Sequence, residues 1–332
     1  MTSSDAPAPL RLPSTPVVAG YALAAALLAS AAPLLAYAGS LALFGAPHVL
    51  TELRYVDGRF GRRLRAGSGA LILAILGGVV VLRALSILHR INPSDGYVAE
   101  LGLVATLAFV VVPDLWASPA RAALAIGLGG AIAVGSAVAP WTTVVTLAIL
   151  HNATPVGFLA ERLAGRPERR RVLTTCAVLF VVVPVLVASG LPSRALDALG
   201  AWRPDATFGT VGALGAHLRV FVPESLTAGS FAPHLFAASA FLQLLHYGIV
   251  IGVLPRLLGR RGAEGNEPVA PWPTARVLAL GIAAVGLVAT VGFVRDFAGT
   301  RASYGLLASV HAWIELPVLL LALAGRPRTA LA

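Results

Sequence analysis

The chain of 332 residues has one cysteine and few charged side chains, which make up only 12% of it. A lone Cys176 allows no intramolecular disulfide and no cysteine-rich metal site, and in its apolar run it reads as a small core or lipid-facing residue. Charge this sparse is far below the roughly 25% of an average soluble domain. No stretch has the composition of a soluble domain, and no internal repeat stands out. Motifs are missing as well. There is no His-x-x-x-His or His-x-x-His-His box, which excludes the usual membrane di-iron desaturases and hydroxylases. There is also no Ser/His/Asp set with a nucleophile elbow. The glycine run at 127–131 has no strand-to-helix context for a phosphate loop and reads as close helix packing. The first sixteen residues are polar and proline-rich, without the basic segment of a signal peptide, so residue 19 onward is expected to remain as a helix.

What is present is apolar sequence: 57% of the chain is hydrophobic and mean hydropathy is +0.82. These values predict an all-α, polytopic membrane bundle. A spanning helix needs about 20 apolar residues. On that basis nine runs qualify, near 18–50, 67–88, 97–113, 119–139, 141–160, 172–190, 231–256, 274–294 and 303–324. They make one transmembrane domain over 18–325, between a polar tail (1–17) and a short C-terminal tail (326–332). The first run is too long for one straight span. Pro33 and Gly39 allow a break or kink there, which leaves one helix or two: a tilted helix, or a span followed by a partly re-entrant piece with Pro47 and His48.

The net charge of +10 comes from arginine clusters between apolar runs, the pattern of positive-inside topology and not of nucleic-acid binding. Placing Arg54–Arg65, Arg162–Arg171, Arg256–Arg261 and Arg326–Arg328 inside is compatible with nine spans, an outside N-terminus and a cytoplasmic C-terminus. Segment 191–230 then lies outside, with room for a surface helix or lid. Little lysine beside much alanine, glycine and arginine is a bacterial composition, which places the protein in a bacterial cytoplasmic membrane.

Against this background the histidines stand out. His151 and His246 each lie about ten residues, or roughly 15 Å, from their basic ends, near the midplane. His48 is expected on the inner half and His311 somewhat deeper. His89, His217 and His234 map toward the outer face. Imidazole is costly in hydrocarbon unless both nitrogens are satisfied, so four at similar depth on separate spans predict a site. Such a set suits iron, copper or zinc.

Two carboxylates repeat one spacing, with Glu52 four residues after His48 and Glu315 four after His311. That spacing sets each pair on one helix face. The glutamate then binds a metal or orients an imidazole, although Glu52, so close to Arg54, also reads as an interfacial charge paired with arginine. Tyr247, Asn152 and Gln243 are polar neighbours of the histidines, suited to supporting ligands or facing substrate. Pro155 frees the His151 carbonyl. Trp313 and Phe158 offer apolar walls.

The segment F-G-A-P-H-V-L-T-E around His48 resembles the G-x-P-H-G-x-x-D motif of the bacteriorhodopsin-related-protein-like (Brp/Blh) membrane carotenoid dioxygenases. S-V-H-A-W-I-E-L-P resembles that family more loosely. The resemblance implies non-haem iron held by His48, His151, His246 and His311, and cleavage of β-carotene to retinal. Glu52 replaces the family's aspartate, Val49 its glycine, and the histidine-dense middle segments are missing. The leading expectation is therefore a membrane-embedded non-haem Fe2+ oxygenase acting on a lipophilic substrate with dioxygen, with Glu315, Glu52 and Tyr247 in supporting catalytic positions. A b-type haem protein and a proton- or metal-translocating transporter are the alternatives.

Overall fold

The structure, a computed structural model, describes residues 12–258 and 268–323. Asp5, Arg11, Arg260, Arg261, Arg326 and Arg328, with most of both tails, lie outside the described residues. Among the described residues every regular element is helical. In chain order these are Thr15–Ala31 (α1), Pro33–Arg63 (α2), Gly67–Ile87 (α3), Pro93–Leu115 (α4), Pro119–Val138 (α5), Pro140–Arg162 (α6) and Arg169–Ala188 (α7). Two short helices follow, Leu191–Ala198 (α8) and Leu214–Phe221 (α9). The last are Ala232–Leu257 (α10), Ala275–Arg295 (α11) and Phe297–Ala322 (α12).

Nine of these, α2 to α7 and α10 to α12, are long and apolar enough to cross a membrane. The chain is a multi-pass helical bundle. Several spans begin on proline, at Pro33, Pro93, Pro119 and Pro140. At a helix N-terminus the missing N–H removes no intrahelical bond. Leu73, Val138, Leu280 and Val288 point outward and are two-thirds or more exposed, which suits acyl chains and not water.

The first apolar run breaks where Pro33 allows it, at Ala32 (φ −142°, ψ 69°), into α1 and α2. Pro47 and His48 lie inside the continuous span α2 and not in a re-entrant piece. Leu12, just before α1, packs against the cluster of Tyr55, Phe60 and Leu254. Tyr21 Oη donates to the Leu244 carbonyl at 2.5 Å. At the far end the Ala31 and Ser30 carbonyls accept from Arg203 N (2.7 Å) and Ser193 Oγ (3.1 Å). Seventeen residues rise about 25 Å, so α1 traverses the bundle before α2 returns. The first described residues therefore lie at the same end of the bundle as the basic clusters.

That basic end is held by ion pairs. Arg59 Nη2 and Arg63 Nη1 reach Glu161 Oε1 at 2.8 and 3.0 Å. Arg65 reaches Asp114 at 2.9 Å. Arg162 Nε donates to the Leu257 carbonyl at 3.0 Å. Above this layer Tyr55, Phe60, Phe158, Leu254 and Val318 form an apolar plug. A second core around Tyr37, Phe236, Phe241, Phe293 and Phe297 fills the other end. There α9 caps the bundle, burying Leu214 and His217. The expected surface helix is thus a pair, α8 and α9.

Candidate metal centre

The four histidines come from α2, α6, α10 and α12. One ring nitrogen from each of His48, His151, His246 and His311 lies within 4.8 Å of all the others. Three of the rings are buried and His151 is half-buried. Helix α2 runs on to Arg63, so residue 48 is 15 residues from either end of 33–63, and His48 lies level with the other three rings and not shallower than they do.

His48 Nδ1 donates to the Phe44 carbonyl at 3.1 Å. In the neutral ring that leaves Nε2 bare, and it faces His311 Nε2 at 3.0 Å. Two ligands about 2.1 Å from one ion and at right angles would lie about 3.0 Å apart, so the pair is spaced for adjacent coordination positions. The Tyr247 ring lies against His48 with centroids 4.1 Å apart. Its hydroxyl reaches Tyr304, so Tyr247 braces the His48 ring and does not itself enter the cluster.

The carboxylates are wired across helices. Glu315 on α12 does not orient His311, one turn before it; its Oε2 accepts from His151 Nδ1 on α6 at 2.5 Å. Glu52 on α2 does not orient His48; its Oε2 lies 3.4 Å from His246 Nε2 on α10. Both carboxylates are fully buried, and they approach closely enough to interact with each other. The interfacial reading of Glu52 is therefore corrected. Arg59 is engaged by Glu161, and Glu52 belongs to the centre. Both Glu52 oxygens, both His246 nitrogens and Glu315 Oε1 have no hydrogen-bond partner among the described residues. Orphaned buried acceptors around converging imidazoles are what a bound cation would satisfy.

Local sequence explains the angle of His151. Pro155 has no N–H for the His151 carbonyl, and Thr154 Oγ1 takes that carbonyl at 2.7 Å instead. The helix loosens there, between His151 and Thr154. Asn152 lines the cavity but spends its amide on the Ala148 and Ile149 carbonyls. Gln243 braces α10 to α2 through the Tyr37 carbonyl and Ser40 Oγ. Phe158 does not line the cavity; it sits in the apolar plug.

A cavity of about 750 Å³ opens from the four histidines toward the end away from the basic clusters. It passes α12 on two sides, toward Tyr97 and Trp141 on one and toward Tyr37 and His217 on the other. Trp313 lines it and donates Nε1 to Glu100 Oε1 at 2.7 Å. Glu100 also holds Arg83 through Nε at 2.9 Å and Nη2 at 2.7 Å. Arg83, Glu100 and Arg301 escaped the reading of the sequence, although charge inside an apolar run, or at its edge for Arg301, was the available signal. No family model, curated protein or solved structure matches the chain.

Proposed function

We propose that this protein is a membrane-embedded oxygenase that uses non-haem iron to oxidise a lipophilic substrate with dioxygen. The observation that carries the reading is the convergence of four imidazoles within 4.8 Å at the inner end of a cavity. His48, His151, His246 and His311 would hold the ion, and the donor set suits copper or zinc as well. When bound, the ion supplies redox chemistry and open coordination positions for dioxygen. Glu315 keeps the His151 Nδ1 proton and leaves its other nitrogen free for the centre. Glu52 stands beside His246, and Tyr247 fixes the His48 ring. The plug of Tyr55, Phe60 and Phe158 closes the centre toward the basic end.

The resemblance to the Brp/Blh family makes a carotenoid the natural substrate. One dioxygen then cleaves one carbon–carbon double bond to two aldehydes, with β-carotene giving two retinal molecules and no other reductant needed. Positive-inside placement puts the basic end in the cytoplasm of a bacterium. Geometry favours a single-ion centre over haem, because four mutually adjacent ligand atoms leave no plane for a macrocycle. The plug also argues against a transport route through the centre.

Metal analysis of purified protein tests the centre. About one equivalent of iron, lost in His246→Ala, is expected; less than about half an equivalent of any transition metal, unchanged by that substitution, would refute it. Retinal formed on co-expression with β-carotene tests the chemistry.

A further inference from the structure

The far end of the cavity carries a cation with no counter-ion among the described residues. Arg301, about one turn into α12, lines the cavity with its guanidinium carbon 5.5 Å from the Phe221 ring centre and 5.9 Å from that of Tyr37. No carboxylate or hydrogen-bond acceptor among the described residues engages it. Beside it His217, only 5% exposed, donates Nε2–H to the Val211 carbonyl at 2.9 Å. Its Nδ1 is buried and unpartnered. The His217 and Tyr37 rings are 5.6 Å apart, so Arg301 and His217 flank the same tyrosine. Burial keeps the His217 pKa below its ordinary value; the Val211 carbonyl pulls it up, and the Arg301 charge again lowers it. At neutral pH Nδ1 is thus an acceptor beside a fixed cation. A guanidinium facing an apolar cavity is stabilised only partly by aromatic faces, and a fork of donors invites a planar anion.

We propose that Arg301 and His217 bind the anionic head of an amphiphilic ligand, a carboxylate or phosphate, whose apolar tail runs down the cavity to the four histidines. Arg301 pairs with the charge, while His217 Nδ1 accepts from a hydroxyl or water beside it. The proposal rests on the oxygenase reading only for what happens to the tail. Arg301 and His311 are ten residues apart on α12, about 15 Å by helical rise, which takes about twelve carbon–carbon bonds of an extended chain from head to centre. Such a ligand is a long-chain or isoprenoid acid or phosphate, and it competes with a neutral carotenoid for the same cavity.

Equilibrium binding of radiolabelled oleate to metal-free, detergent-purified full chain is the test, with oleyl alcohol as the neutral control. Oleate should bind at least about tenfold more tightly than the alcohol, the scale of one charge-assisted hydrogen-bonded pair. Arg301→Gln should abolish that preference and Arg301→Lys retain part of it. Competition by phosphatidylglycerol with the same Arg301 dependence supports the site with a lipid phosphate as the source of the anion; competition by oleate alone supports a free acid. Equal affinity of the wild type for acid and alcohol overturns the proposal without any variant. So does a preference that survives Arg301→Gln in protein of unchanged melting temperature. Oleate binding without oxygen consumption by metal-loaded enzyme would count against the oxygenase reading alone.

Discussion

Replacing Glu315 by glutamine keeps the size of the side chain and removes its charge, at a position where one distance does most of the orienting. Oε2 sits 2.5 Å from His151 Nδ1, so the carboxylate fixes which nitrogen carries the proton and turns the other toward the centre. A glutamine presents its NH2 group or its weaker amide oxygen, and His151 loses its preferred tautomer. Losing such a partner typically weakens metal binding 10- to 100-fold, or about 1.4–2.8 kcal/mol. The metal-free protein should respond differently. Glu315 lies close to Glu52 in a fully buried site, and two adjacent carboxylates oppose each other when both are charged. Glu315→Gln removes that opposition, so the melting temperature of the metal-free protein should hold or rise while metal affinity falls. Anaerobic titration with Fe2+ against a chelator of known affinity, paired with thermal melts in detergent, reads both quantities. A change in affinity of less than about twofold in a folded variant would refute the reasoning, as would parallel loss of affinity and stability. Because the carboxylates touch, Glu52→Gln combined with Glu315→Gln should be non-additive in metal affinity.

Arg83→Met strands the buried Glu100 with only Trp313 as a donor, and should cost about 3–5 kcal/mol of stability. Arg83→Met with Glu100→Gln should recover more than half of it, as read from thermal melts; an undisturbed single variant would show the pair to be idle. The crossing by α1 is testable in a Cys176→Ser background, where a cysteine at Ser14 should react with an impermeant maleimide from the same side as one at Ala164. A cysteine at Leu199 should react from the other side, and a Ser14 site that follows Leu199 would refute the crossing.

The nine long helices were legible because hydropathy and helical rise are local, additive properties of the chain. The same bookkeeping brought all four histidines to one depth. It set His48 a little too shallow because Glu52, Arg54 and Arg59 look like a membrane edge in sequence. In the fold α2 continues through them, with Glu52 beside His246 and Arg59 paired with Glu161. At Ala32 it allowed a break without deciding for one, because a proline alone does not distinguish a kink from a reversal. The spacing of four residues identified Glu52 and Glu315 but not their partners. Sequence spacing reports neighbours on one helix, whereas both carboxylates act on imidazoles of other helices.

That crossed arrangement makes the centre a registry check on four helices at once. A slide of one residue along α12 moves His311 by about 1.5 Å and swings it about 100°, and it carries Glu315 away from His151 in the same motion. A misplaced helix therefore forfeits its own ligand together with the support of a ligand on its neighbour. Occupancy should consequently fall as an all-or-none function of bundle assembly, with few chains holding the ion by half a site.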